Sequence, residues 1–469
     1  MKKAIIKESL PLFTRETEVP QIPMEREDYL FRIGLLRARM AEDGVDIALL
    51  FGDREHFSNI EYFSGYDCRF EEGILAIPRE GTPTIVCGNE GMGYSYAIPY
   101  EINRVYYRNL SLQGQPRRAE EKLDEIFRAM GVNADSRVGV IGYKYFLPEY
   151  IGTDPRYTFD IPHYMLEVLR TVARSENVFN YTSVLTGLDG GIRLKVYNAK
   201  EIASAEAAAC RSANGILRML KALRPGIAEY EVGASARLGV APVTMFPLTN
   251  FGARHVSIGL GSPSDATTLE LGDVCGLCYG IRGSLTSRVG VAAYNEETMR
   301  ADLRPLLFSF YGRFFEAMCA WYEKLHVGAD GNTLHHAVHD RIGGPEYNVN
   351  LNCGHYTGMD EWTNALAYDG STHTLPDGAY LQVDIIASNP DPVRTAICED
   401  TAIVAGPELR AALKAEYPEV WARIQERREA MIHHLGIELH EDVLPLSNIN
   451  AAMYPFMLNL NRVFALEEE

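Results

Sequence analysis

The sequence predicts an α/β (α+β) protein made of two successive units, with its chemistry late in the second. Three observations carry that expectation. Helix-periodic and strand-like runs alternate from residue 24 onward, the pattern of helices packed on sheets. Periodicity lapses between Tyr150 and Asp189, where Gly and Asp accumulate, which sets the units at 1–180 and 181–469. Between Asn352 and Val404, strand-like runs carry one imidazole and two embedded acids. A chain of 469 residues suits two to three domains of about 100–200 residues.

In the first unit, Tyr29, Ile33, Leu36 and Met40 recur at helical spacing, and Gly44 ends that helix. Val45–Phe51 reads as a buried strand, and Gly73–Ile77 and Thr84–Cys87 as two more, joined by Pro78-Arg79-Glu80-Gly81. Between them, Asn59–Tyr66 leads to an aromatic, charged loop at Cys68-Arg69-Phe70-Glu71. A charged helix over Pro116–Met130 and a strand over Arg137–Ile141 complete the unit.

The second unit opens on an Ala-rich helix, Ala199–Leu223, ended by Arg224-Pro225-Gly226; its alanines favour helix. Then come Met245–Asn250, a Gly-studded stretch over Phe251–Pro263, and a strand and turn across Leu271–Gly280. Long and short helices are expected at Glu297–Leu325 and before Gly343, and two more helical stretches after Pro407. The run Tyr380–Ile386 holds Asp384 at its centre, and Ile397–Val404 holds Glu399-Asp400. A carboxylate inside a buried strand is costly unless it is paired. With His355 on a Gly-flanked segment just upstream, these acids point to a site.

A net charge of -18 argues against nucleic acid or an anionic membrane as partner. No apolar run reaches the about 18–20 residues of a membrane span, and Met1-Lys2-Lys3 is not followed by a signal-peptide core. Eight scattered cysteines suggest free thiols and a cytoplasmic location. Cys275-Gly276-Leu277-Cys278 matches a CxxC, but on a strand positions i and i+3 face opposite sides.

Six segments, in order, resemble the creatinase, aminopeptidase P and prolidase superfamily. They are Asn59–Gly65, Arg224–Glu229, Leu271-Gly272-Asp273, Gly354–Gly358, Pro376–Asp384 and Glu399-Asp400-Thr401. The resemblance implies an N-terminal creatinase-like domain before a pita-bread catalytic domain. It also implies a two-metal site held by two Asp, one His and two Glu. Those ligands fall on Cys278, Leu285, His355, Asp384 and Glu399. Leucine cannot ligate, so a degenerate site is expected, with no cofactor or at most a single divalent metal on Cys278, His355, Asp384 and Glu399. The family's later substrate-handling histidine falls on Trp362, and His255 is the one imidazole near the position of the earlier one.

The implied function is hydrolysis of a C–N bond in a small polar substrate, creatinase-like and without a dinuclear metal. The catalytic residues are His355, Asp384 and Glu399, and Arg288 anchors an anionic group. The alternatives are an Xaa-Pro metallopeptidase and an inactive binding homologue. The resemblance further implies a homodimer in which Arg69 and Phe70 reach the pocket of the neighbouring subunit.

Overall fold

The first helix spans Arg26–Asp43, and Gly44 closes it at φ 69°, a left-handed conformation open to a residue without Cβ. Ile33, Leu36 and Met40 are its buried stripe. This helix belongs to a unit spanning Pro23–Ile192, in a computed structural model that describes residues 2–239 and 241–468. Its sheet has six strands: β2 (Ile47–Gly52), β3 (Gly73–Pro78), β4 (Thr84–Cys87), β5 (Asn103–Tyr106), β6 (Val138–Ile141) and β7 (Val178–Asn180). They lie in the order β5-β4-β3-β2-β6-β7. Leu49, Phe51, Val86, Val138 and Val140 from the sheet pack with Phe127 and Leu169 from two helices. The predicted Pro116–Met130 helix contracts to Leu123–Ala129, because Leu123 and Phe127 are the residues it buries and the stretch before them is mostly charged, with no large apolar residue to bury. Asn59–Ser64 is helical, within Ser58–Ser64.

The other unit joins the residues up to Ile22 with those from Arg193 onward. The first strand, β1 (Lys2–Glu8), pairs antiparallel with the last, β17 (Arg462–Glu468), so it groups here and not with the rest of the expected 1–180 unit. A five-stranded antiparallel sheet carries β8 (Val243–Phe251), β9 (Val274–Ile281), β10 (Ser284–Val291), β13 (Ala387–Pro390) and β14 (Val393–Glu399), in the order β13-β14-β10-β9-β8. A four-stranded sheet, β11-β12-β15-β16, is formed by His355–Tyr356, Ala379–Gln382, Thr401–Val404 and Val443–Pro445. The Ala-rich helix, Ala199–Ala222, covers the back of the larger sheet: Ser212 bonds Thr286 at 2.6 Å. A Cβ on Gly215 would meet the Tyr279 ring, so the small residue permits the close approach.

Predicted elements of this unit change as well. The helix expected over Glu297–Leu325 is regular only at Arg313–Glu323; Pro305 interrupts the pattern. The glycine-studded segment after β8 forms a short helix, Gly252–Ile258. Asp384 lies past the end of β12 rather than mid-strand, and Glu399 is the last residue of β14. Both acids therefore sit where a ladder ends. Among the described residues no helix is long and apolar enough to cross a membrane.

Candidate active site

Register places the first wall of the site. Ser287 on β10 lies opposite Cys278 of β9 on one side and Glu399 of β14 on the other, and residues paired across antiparallel strands project to one face. Cys278, Ser287 and Glu399 thus form a row on the front of the sheet. Leu285 shares that face by alternation and is 3% exposed.

The second wall is the segment after Cys353. Gly354 takes φ 86°, and a Cβ there would lie 2.5 Å from the Trp321 ring, so the turn into β11 requires glycine. The Gly354 amide donates to the Asp384 carbonyl at 2.8 Å, and His355 registers opposite Gln382. Beyond β11 the chain loops back, with the Tyr356 amide donating to Asn364 and the Thr363 amide to Tyr356. A buried ion pair between Arg193 and Asp360 at 2.5 Å pins the loop tip. Glu361 and Trp362 follow immediately. The Trp362 ring stacks on His355 with centroids 4.1 Å apart.

His355 is fully buried at the centre. Its Nε2 lies 3.3 Å from Glu361 Oε1, and 3.8 Å from both Asp384 Oδ2 and Glu399 Oε1. Among the described residues Nε2 makes no hydrogen bond, and Asp384 Oδ1 also lacks a partner. On the other side of the ring, Nδ1 donates to the Tyr356 carbonyl at 3.1 Å. Gln382 donates to Glu399 Oε1 at 3.2 Å and accepts from Thr401.

Burial alone would push the His355 imidazole down, but the surrounding carboxylates outweigh it and raise it to about 10. Desolvation lifts Asp384 to about 6 against the pull of His355. Burial, with the Asp384 charge, sets Glu399 well above the usual carboxylate range. Burial and the same carboxylates hold the Cys278 thiol high. One imidazole thus faces three carboxyl groups.

The structure thus brings His355, Asp384, Glu399, Trp362 and Cys278 together, and adds Glu361. Glu361 has no period, repeat or strand around it in the sequence; the loop that presents it is fixed by distant Arg193. His255 is buried on the front face, against Gly276 and two residues along β9 from Cys278, with Nδ1 unpartnered. Arg288 is not in the site. It projects from the back of β10, where it forms a two-oxygen ion pair with Asp400 at 2.9 Å and donates to the carbonyls of Glu399, Ile449 and Ala452. Its donors are committed to the fold, which corrects the expected anchoring role. Arg69 and Phe70 belong to the other unit; Arg69 pairs with Asp67, and Phe70 is 60% exposed. The eight cysteines are free, and Cys275, buried on the opposite side of β9 from Cys278, shares no site with it.

Residues 32–185 match the creatinase/prolidase N-terminal domain family. The structure resembles an Xaa-Pro dipeptidase from Bacillus anthracis, with TM-score 0.61 and 16% identity over 81% of this chain and 96% of that one. The chain has the pita-bread fold. A prolidase from Pyrococcus horikoshii shares the fold at TM-score 0.61 and 16% identity, covering 80% of this chain and 95% of its own. Pseudomonas aeruginosa aminopeptidase PepP does so at 0.59 and 17%, covering 84% and 99%. No curated protein sequence matches the chain. The two-metal centre implied by the resemblance does not fit the residues of this pita-bread site. A buried leucine occupies one ligand position and a thiol another, so a carboxylate bridge between two ions is missing.

His255 makes a separate prediction. Burial depresses its imidazole from 6.5 to about 4. The unfolded chain therefore takes up the proton first, and stability should fall as pH drops through 6.5 toward 4, by up to about 3 kcal/mol. Denaturant melts of His255→Gln should lack this component of the acid slope; an unchanged slope would contradict it.

Proposed function

We propose that this protein hydrolyses a C–N bond in a small peptide-like substrate, as an Xaa-Pro peptidase-type enzyme. The observation that carries the reading is the convergence of His355, Asp384 and Glu399, from three separate strand ends, in one buried cluster. Solved structures of like fold bear the names Xaa-Pro dipeptidase, prolidase and aminopeptidase, which favours a peptide over the creatinase-like guanidino compound expected first.

Asp384 is best suited to be the general base. Its Oδ1 is unpartnered, and its carboxyl is raised to about 6, near the pH at which such a group works best. It takes a proton as water attacks the carbonyl carbon and returns it to the leaving amine nitrogen. Trp362 offers a flat apolar wall, His255 a neutral imidazole on the same face, and His355 with Glu399 sets the local field.

Incubation with Xaa-Pro dipeptides, longer Xaa-Pro peptides, and guanidino and amidino compounds tests the reading. Release of free amino acid from an Xaa-Pro substrate is expected. Turnover confined to guanidino or amidino compounds would return the creatinase-like reading, and no turnover on the whole panel would favour an inactive binder.

The same proposal makes the chain a cytoplasmic homodimer, in which Arg69 and Phe70 complete the pocket of the neighbouring subunit. Phe70 is exposed as that role requires, and Arg69 would have to exchange its Asp67 contact for substrate. Mixed Arg69→Ala and His355→Ala chains should regain one working site per heterodimer. A monomer by light scattering would reject the arrangement.

A further inference from the structure

Three acids and one imidazole meet in a cluster in which His355, Asp384 and Glu399 are buried. Glu361, Asp384 and Glu399 all face the one imidazole, at 3.3, 3.8 and 3.8 Å from its Nε2. Desolvated like charges a few ångströms apart repel strongly. The nearby arginines pair elsewhere: Arg288 with Asp400 behind the sheet, and Arg193 with Asp360.

We propose that His355, Glu361 and Glu399 bind a single divalent transition-metal ion, with Glu361 supplying the carboxylate that the usual ligand positions have lost. The ligand atoms of these three residues lie within 4.8 Å of one another. Metal–ligand distances of about 2.0–2.2 Å then require only a modest contraction. Glu361, whose side chain is 28% exposed, is the ligand with room to move.

Two further features point the same way. The Nδ1–H of His355 is held by the Tyr356 carbonyl, so the proton that leaves is the one on Nε2. A lone pair then faces the carboxylates, an arrangement that orients metal-binding histidines in general. And Asp384 Oδ1, on a residue 6% exposed, points at no donor; it is free to hold a water on the ion. Three protein ligands with one open position is the form of a catalytic rather than a structural site. Cys278, the thiol in the same row, is not assigned as a ligand. One nitrogen and carboxylate oxygens suit Zn²⁺, Fe²⁺, Co²⁺ or Mn²⁺.

This inference deepens the hydrolase reading, since the ion would share its site, but it stands on the cluster's geometry. The full chain, stripped with chelator and dialysed, is titrated with Zn²⁺, Mn²⁺ and Co²⁺ and followed by calorimetry and elemental analysis. The expected stoichiometry is about one ion per chain. Glu361→Gln should weaken binding at least about 10-fold with an unchanged circular dichroism spectrum. Cys278→Ser should leave affinity unchanged, and the Co²⁺ form should show no thiolate charge-transfer band. Two ions per chain, no ion, full affinity in Glu361→Gln, or a thiolate band would each overturn the assignment. One ion without any C–N hydrolysis would leave the metal site standing and remove the hydrolase reading. Hydrolysis by the fully stripped chain that binds no ion on titration would keep the hydrolase reading and remove the metal site.

Discussion

Glu399→Gln, Asp384→Asn and His355→Ala should each reduce turnover on an Xaa-Pro substrate by roughly 10²–10⁴-fold, and pairs of them should lose far less than the product of the single effects. Groups that act on one reacting centre fail together, and these three meet around His355 Nε2 at 3.8 Å. Stability should move the other way for the two amides. In the metal-free chain Asp384 is raised from 3.8 to about 6 by burial. Its ionised form is therefore favoured by unfolding, and stability is lost as pH rises across that interval. After chelation, Asp384→Asn should be at least as stable as the parent at pH 7. Calorimetric melts beside the kinetics check this. A variant that loses activity and stability in parallel would mark Asp384 as structural.

Arg288→Ala should destabilise the fold by about 3–5 kcal/mol. It would strand Asp400, which is fully buried and holds Arg288 through both oxygens at 2.9 Å, and would leave the carbonyls of Ile449, Ala452 and Glu399 without their donor. Arg288→Lys should recover little, because an ammonium cannot reproduce the planar fork. Denaturant titration reads the effect. If Arg288 anchored substrate instead, the variant would fold with nearly native stability and show mainly a raised KM.

The contrast between Arg288 and Ser287 shows what the sequence could and could not reveal. Both lie in one strand-like run, and alternation says that they face opposite ways. Which face meets His355 depends on pairing with β9 and β14, and pairing is not a local property. His355, Asp384 and Glu399 were legible because each sits in a short pattern that resembles a known family. Their placement at ladder ends was not, since Val383–Ile386 is as apolar as a strand but leaves β12 after Gln382. Glu361 gave no signal, because its position is set by an ion pair between residues 167 apart in sequence. Likewise the partner of β1 is the far end of the chain, which no window of sequence contains. By contrast, the helix that ends at Gly44 and the strands of the first unit were readable, because their apolar residues and turn glycines are local.

The central claim is that the cluster around His355 directs water onto a C–N bond. Hydrolysis of an Xaa-Pro dipeptide in H₂¹⁸O by the parent chain and by Asp384→Asn, with both products analysed by mass spectrometry, tests it most directly. The account predicts one ¹⁸O in the newly formed carboxylate and none in the released proline, with the reaction suppressed at least about 10²-fold in Asp384→Asn. Equal product from both chains, or no ¹⁸O in the new carboxylate, would contradict it.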